Sequence, residues 1–319
     1  MKFISLKIAI LIAIFIAIIC INAYYEIFAL NLSNGPGIEK AEESLRVMTW
    51  NVNASLVTED VDKVRDGLTT EIEKLNPDIL CLQELSPKIF KEIQTSLDSL
   101  FGYTDGMVIK GESQRFRLYS RKPIRNFKRY KCVTEIDTTG FDQTQQEEIK
   151  IIKRQMPFFS AEIEINPDKW ITVFSCHLRS SAYSTARRSM EEGSSWLDGI
   201  SLYVENYKTG KKIRDYEADN LKIYLDSLEL DETPIIIVGD FNDWSGSYCL
   251  NTIQDGEYND SWWEKGFGFG STYDAWHLKL RLDHILFSPH FDIKNIHVEQ
   301  IVLSDHYPLV ADLYIRTDL

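Results

Sequence analysis

Cysteine is scarce in this chain. Of 319 residues only five are cysteine: Cys20, Cys81, Cys132, Cys176 and Cys249. None stands in a Cys-x-x-Cys spacing, which argues against a structural zinc site. Cys81 and Cys176 lie in apolar segments that read as buried strands, so they are expected to be reduced core thiols, and a Cys132–Cys249 bridge stays open. Internal repeats and low-complexity tracts are also missing, which excludes solenoid and collagen-like architectures. There is a single long apolar run, so the chain is no polytopic membrane protein. Positive charge is in deficit: 35 Lys and Arg stand against 48 Asp and Glu, a formal charge of −13. An acidic surface repels phosphate backbones at long range and disfavours a broad non-specific nucleic-acid binder. It leaves room for a local basic groove, and it is compatible with carboxylates gathered around a metal. Hydrophobic residues at 44% and charged residues at 26% are ordinary for a globular chain with a substantial core.

The apolar run is Ile8 to Ile21, unbroken, with Lys2 and Lys7 before it. Continued to Tyr25 it would form roughly 27 Å of helix at about 1.5 Å per residue, almost a bilayer's apolar thickness. Tyr24 and Tyr25 suit the far interface. Residues 1–30 therefore read as a signal peptide or an uncleaved signal anchor, and Ile21-Asn22-Ala23 is a passable cleavage site. The two lysines would stay in the cytoplasm, which puts the rest of the chain outside it, secreted or anchored. Residues 31–44, with Gly35-Pro36-Gly37, read as a linker, and residues 45–319 as one domain.

Within that domain, hydrophobic alternation predicts strands at Leu45–Asn51, Asp78–Leu82, Phe116–Ser120, Ile124–Tyr130, Phe158–Ile165, Ile171–Cys176, Ile235–Val238, Arg281–Phe287, Asn295–Val302 and Leu309–Ile315. Helical spacing marks Val61–Leu75, stopped by Asn76-Pro77, and Arg214–Leu228. A third helix begins at Ser86-Pro87, with proline at the first helical position. Strands with helices at intervals indicate an α+β sandwich.

A pattern recurs at the strand ends. Apolar strands finish in Asn51, Gln83-Glu84, His177, Asp240-Phe241-Asn242, Asp283 and Ser304-Asp305-His306. One such ending means little, because every strand must return to water. Six suggest convergence on one spot. Glu84, Asp240, Asp283 and Asp305 packed together would raise one another's proton affinity, and they stay ionised beside a cation. An all-oxygen set without thiolates selects a hard ion, Mg²⁺, Mn²⁺ or Ca²⁺. The remaining groups can then work on water and on a leaving group, as hydrolysis of a phosphate ester requires.

These residues, in this order, resemble the endonuclease/exonuclease/phosphatase superfamily. The resemblance rests on Met48-Thr49-Trp50-Asn51-Val52, Leu82-Gln83-Glu84, Tyr119-Ser120-Arg121-Lys122-Pro123-Ile124, Ser175-Cys176-His177-Leu178, Gly239-Asp240-Phe241-Asn242-Asp243, Arg281-Leu282-Asp283-His284-Ile285 and Ser304-Asp305-His306-Tyr307-Pro308-Leu309. It implies a four-layer α/β/β/α sandwich with two mostly antiparallel sheets, and cleavage of phosphoesters dependent on Mg²⁺, with Mn²⁺ as a substitute. It further implies that Glu84 binds the metal, helped by Asn51 and Asp305. Asp240 and Asn242 would position or deprotonate water, Asn242 also contacting the phosphate. Asp283 would hold His306, His177 would act on the leaving group, and Arg154 would bind the phosphate. Tyr273 and Trp276 are candidates for the pocket floor, with an aromatic core as the equal alternative.

The chain departs from the pattern in two places. Phe116–Ser120 lacks the usual leading glycine. Arg179–Ile213 looks like an insertion, readable as a substrate lip carrying Arg187 and Arg188 or as a surface helical hairpin. The expected activity is that of a monomeric phosphodiesterase acting on a lipid or small molecule, tethered to a membrane by its first helix. The alternatives are a secreted or tethered DNA or RNA endonuclease, and a catalytically idle binding version of the fold.

Overall fold

The computed structural model describes residues 39–53, 61–104, 117–136, 138–139, 143, 146, 157–180, 196–228, 232–268, 270–275 and 278–316. The Ile8–Ile21 run, most of the linker, Arg154, Arg187, Arg188 and Trp276 lie outside the described residues. Among the described residues no helix is long and apolar enough to cross a membrane.

Alternation at β1 (Leu45–Asn51) and β2 (Ile79–Gln83) sends Val47, Ile79 and Cys81 to one side of a sheet and Met48, Trp50, Leu80 and Leu82 to the other. Both sides are buried. Against the second side pack Val64, Leu68 and Ile72 of helix α1 (Val61–Leu75), with Ile89, Ile93 and Leu97 of helix α2 (Pro87–Phe101). The α2 helix starts as its sequence demands: the Ser86 side chain accepts from the Ile89 N–H and Pro87 opens the first turn. Gly102, at φ 72°, ends it in the left-handed conformation.

Further strands are β3 (Tyr103–Thr104), β4 (Arg117–Ser120), β5 (Ile124–Tyr130), β6 (Phe158–Asn166), β7 (Lys169–His177), β8 (Ile235–Asp240) and β9 (Asn259–Asp260). The chain closes with the short β10 (Tyr273–Ala275) and β11 (Leu278–Leu280), then β12 (Asp283–Phe287), β13 (Phe291–Val298) and β14 (Leu309–Ile315). Two six-stranded sheets result, in the orders β13-β14-β1-β2-β4-β3 and β5-β6-β7-β8-β12-β9. Their inner faces meet in one core that joins Val47, Leu118 and Leu309 to Ala161, Val173, Val238 and Ile285. On the outer face of the second sheet, Phe174, Ile235 and Ile237 pack with Ala218, Leu221 and Leu225 of α3 (Trp196–Asp226) and with Leu250 and Ile253 of α4 (Tyr248–Gln254). The α+β expectation is met, with both sheets mixed: each holds one parallel pair, β1 with β2 and β7 with β8.

Several elements differ from the sequence reading. Helix α3 begins at Trp196, not Arg214. Among the described side chains of its first half, Ser201, Val204, Glu205 and Lys208 are exposed, while Ala218, Leu221 and Leu225 in its second half pack on the sheet. The last part of the insertion-like stretch is thus the first half of α3. Strand β13 begins at Phe291 because an irregularity between Ile293 and Asn295 shifts its alternation, so that Phe291 and then Ile296 and Val298 turn inward. The short β10–β11 hairpin and α4 carry too few residues to show a period. Cys81, Cys132, Cys176 and Cys249 are all free thiols, which closes the question of a Cys132–Cys249 bridge.

One buried ion pair ties the first and last strands together. Arg46 Nε donates to Asp312 Oδ1 at 2.6 Å and Nη2 to Oδ2 at 2.8 Å, while Nη1 reaches the Leu75 carbonyl at 3.0 Å. Asp312→Ala would strand a buried guanidinium and is expected to cost about 3–5 kcal/mol. Urea unfolding followed by tryptophan fluorescence reads this directly, and an unchanged midpoint would show the pair to be dispensable.

Candidate active site

The two parallel pairs decide where the polar strand ends go. In the first sheet Asn51 is opposite Gln83, so β1 and β2 finish at the same edge. In the second, His177 is opposite Asp240, so β7 and β8 do likewise. Antiparallel β12 starts there, with Asp283 opposite Asp240. Strand β14 runs against β1 with Leu309 opposite Thr49, which brings residues 304–306 to that edge as well. The glycine before Asp240 has a steric cause. Gly239 sits at φ 145°, where a Cβ would lie 2.0 Å from the Cys176 carbonyl oxygen of β7.

The side chains then meet across the sheets. Asn51 Nδ2 donates to Asp240 Oδ2 at 2.9 Å and to Glu84 Oε1 at 3.3 Å. His177 Nε2 lies 3.3 Å from Glu84 Oε1 and 3.7 Å from Asp240 Oδ2. Asp240 Oδ1 accepts from the Asn242 N–H at 2.8 Å, and Oδ2 accepts from Asn242 Nδ2 at 3.2 Å. His306 Nδ1 is 2.8 Å from Asp283 Oδ2, and its Nε2 is 3.9 Å from Asp240 Oδ2. Asp305 is half-buried beside this set, its Oδ1 accepting from Ser304 Oγ at 3.3 Å. Eight of the nine site residues proposed from sequence thus share one cluster; the ninth, Arg154, lies outside the described residues.

Burial and charge act against each other here. Burial raises Glu84, but His177 and Asn51 outweigh it and hold its carboxyl at about 2. Burial raises Asp240, with Asp283 adding to it, despite the opposing charges of His306 and His177. Burial raises Asp305 too, helped by the Glu84 charge. Burial lowers His306, yet Asp283 and Asp240 prevail and bring it up to about 10. His177 is likewise raised by Glu84 and Asp240 over the opposing effect of burial.

Two of the cluster's backbone positions lie in the left-handed region. Glu84 and Asn242 are non-glycine residues at φ 53° and 52°. Such conformations persist where surroundings over-determine them, and they cluster at functional sites.

Supporting groups went unassigned at the sequence level. Ser304 Oγ donates to the Asn51 carbonyl at 2.8 Å and accepts from the His306 N–H at 3.2 Å, stitching two strand ends together. Thr272 Oγ1 accepts from the Leu282 and Asp283 N–H groups. Trp50 Nε1 holds the His306 carbonyl at 2.9 Å. Ser304 and Trp50 lie inside the quoted motifs and were findable there; Thr272 lies in none. Tyr273 packs edge-on to the His306 ring, 4.9 Å between centroids, so it does line the site. Arg121, also in a quoted motif, serves the fold: it donates to the Pro77 and Leu100 carbonyls.

A hard divalent cation fits one part of this cluster. Asn51 Oδ1 is buried without a hydrogen-bond partner, next to the ionised Glu84 carboxylate. Buried polar atoms are otherwise nearly always paired, so an ion bound there would remove the anomaly. Asp240, Asp283 and His306 form a tighter group, each offering a ligand atom within 4.8 Å of the others. That trio suits proton handling better. It is fully buried, and the imidazole Nδ1 and Asp283 Oδ2 already satisfy each other, although Asp283 Oδ1 is buried without a partner as well. Glu84 and Asp305 are only partly buried, as befits an ion that keeps some of its water.

Comparison with known proteins agrees with the fold. The family model described as "Endonuclease/Exonuclease/phosphatase family" matches residues 48–306. Truncated TDP2 from Caenorhabditis elegans is similar at 17% identity, covering 85% of this chain and 98% of that one, with a TM-score of 0.58. The human Nocturnin catalytic domain with bound sulfate covers 87% of this chain and 97% of that chain at 16% identity and a TM-score of 0.57. ANGEL2, titled a 2',3'-cyclic phosphatase in complex with adenosine-2',3'-vanadate, gives 14% identity, 87% and 99% coverage and a TM-score of 0.60. At these identities the likeness is one of fold. A local match to Alpha-dioxygenase 1 of Capsicum annuum, 40% identical over 67 residues, spans only 20% of this chain and 10% of that protein, too little to carry fold or activity. With a family model running from Met48 in β1 to His306 in the cluster, this chain belongs to the endonuclease/exonuclease/phosphatase family.

Proposed function

We propose that this phosphoesterase is a divalent-metal-dependent phosphodiesterase whose catalytic domain works outside the cytoplasm. The observation that carries the reaction is the convergence of Asn51, Glu84, His177, Asp240, Asn242, Asp283, Asp305 and His306 at one edge of two sheets. Glu84, Asn51 and Asp305 are the residues that would hold Mg²⁺ or Mn²⁺. When bound, the ion polarises a phosphoryl oxygen and offsets its charge.

The chain's own groups supply the rest. Asp240, fixed by Asn51 and Asn242, is the group to orient and deprotonate the attacking water. Asp283 fixes the His306 ring through Nδ1, so Nε2–H points toward Asp240 and can donate to a phosphoryl oxygen as charge builds. His177 is placed to give a proton to the leaving oxygen, with Glu84 orienting it. Asn242 Nδ2 holds the Leu178 carbonyl and Asp240 Oδ2, so it would contact a phosphate oxygen only by giving up one of these bonds.

The location rests on the Ile8–Ile21 run and the lysines before it. A reporter fused after Leu319 should be active only outside the cytoplasm, and activity confined to the cytoplasm would end that part of the proposal. The substrate is tested with bis-p-nitrophenyl phosphate, p-nitrophenyl phosphate, plasmid DNA and sphingomyelin vesicles at equal Mg²⁺. Turnover of diesters well above the monoester is expected. Hydrolysis of the monoester alone would refute the diesterase reading. For this acidic chain, cleavage of DNA should fall steeply with salt, because counterions compete for phosphate contacts. Cleavage of an uncharged lipid should change little with salt, so the two slopes separate a nuclease from a lipid diesterase.

A further inference from the structure

Asn242 is held in a conformation that asparagine adopts at a cost, and its usefulness depends on that conformation. At φ 52° its side-chain Nδ2 bridges the Leu178 carbonyl at 3.0 Å and Asp240 Oδ2 at 3.2 Å. Its backbone N–H meanwhile meets Asp240 Oδ1. The question is what prevents the backbone from relaxing.

Both neighbours of Asn242 are fixed by buried side chains from other elements. Asp243 Oδ2 lies 3.3 Å from Nε of Arg214, a fully buried residue of α3. The Asp243 carbonyl is 3.0 Å from His284 Nε2. A carbonyl only accepts, so Nε2 is the nitrogen that carries the proton in this contact. On the other side of Asn242, the Phe241 ring meets the same His284 ring edge to face, 5.5 Å between centroids. His284 is itself held: its Nδ1 is 3.2 Å from Asp260 Oδ2 and 3.2 Å from Arg281 Nη1, and Arg281 grips both Asp260 oxygens at 2.9 Å.

The α3 side of the clamp also reaches the strand end that carries His177. Arg214 Nη1 donates to the Arg179 carbonyl at 3.0 Å, and Glu217, one turn along the helix, accepts from the Arg179 N–H at 2.7 Å. One helix face therefore fixes the chain just after His177 and just after Asn242.

We infer that Asp243 is a positioning residue: clamped by Arg214 on its carboxylate and by His284 on its carbonyl, it keeps Asn242 in the left-handed conformation that lays the Asn242 amide on Asp240. The inference rests on the proposed role of Asn242 in diester hydrolysis. It gives a purpose to the His284 that follows Asp283. One strand start serves the site through both faces, Asp283 holding His306 and His284 holding the Asn242 turn. It also explains why α3 places a buried arginine and a buried glutamate three residues apart behind an active-site turn.

The test is a double-mutant cycle on bis-p-nitrophenyl phosphate at saturating Mg²⁺, well below the melting temperature of every variant. Asp243→Ala is expected to lower kcat roughly 10–100-fold with KM within about 2-fold, since displacing a reacting group costs rate without removing a substrate contact. Asp243→Asn keeps a side-chain acceptor for Arg214 and should recover part of that loss, while the backbone carbonyl held by His284 is present in both variants. In an Asn242→Ala background, replacing Asp243 should cost less than about 2-fold, because there is nothing left to position. A residue that only stabilises the fold would lower the melting temperature in both backgrounds and leave kcat alone. If the alanine protein does not fold, Asp243→Asn is read in the same cycle. Losses that multiply across the cycle, or wild-type kcat in the Asp243 variants, overturn the inference while leaving the diesterase reading intact. Wild-type turnover in Asn242→Ala overturns the inference together with the role proposed for Asn242.

Discussion

His306→Ala is expected to lower turnover by roughly 10²–10⁴, the usual worth of a positioned proton-transfer group. The imidazole is buried and its Nδ1 is 2.8 Å from Asp283 Oδ2, so Nε2 is the nitrogen left to face Asp240 and the substrate. Asp283→Ala should cost a similar factor, because the ring then loses the partner that fixes its orientation and favours its protonated form. The two act as one device. The double mutant should therefore lose far less than the product of the single losses. Single-turnover rates on bis-p-nitrophenyl phosphate read the chemical step itself. Multiplicative losses would show that Asp283 does not work through His306, and a wild-type His306→Ala would remove the imidazole from the mechanism.

How much of this was legible in the sequence depended on the kind of signal. Strands β1, β5 and β14 were found with their ends, because each is bounded by turn residues or shows clear alternation. Helix α1 was found likewise, its start and stop given by apolar spacing and Asn76-Pro77. The cluster was legible because each member ends or begins a strand, and the parallel pairs β1–β2 and β7–β8 turn those separate endings into one place. The pairing itself could not be read from the chain, since register across sheets is set by contacts distant in sequence.

Other features left no local trace. The Arg214, His284 and Asp260 contacts join residues far apart in the chain, and each looks in isolation like an ordinary polar residue. The His284 ring is buried and bonded to the turn that carries Asn242. Thr272 caps the start of β12 through its hydroxyl, a job any hydroxyl-bearing loop residue could do, so its identity carried no information in advance.

Removal of divalent metal is expected to abolish hydrolysis altogether, and Mg²⁺ or Mn²⁺ to restore it. Asn51 Oδ1 is buried without a partner beside the Glu84 carboxyl, whose pKa is held down at about 2. Half-buried Asp305 adds a further oxygen and there is no thiolate among them, which is the donor set of a hard ion. Glu84→Ala should raise the Mg²⁺ concentration for half-maximal activity by at least about 100-fold. Loss of a group that only orients a ligand already costs 10–100-fold in affinity in comparable sites, and Glu84 would be a ligand itself. Binding can be followed without any substrate. An ion that binds only the folded chain stabilises it by about 2.7 kcal/mol at a hundred times its dissociation constant. Thermal melts in EDTA and in excess Mg²⁺ should therefore differ for the wild-type protein and converge for Glu84→Ala. Melts that never separate would argue against an ion at Glu84, and full hydrolysis in excess chelator would mean that Asp240, Asp283 and His306 act on the phosphoester without one.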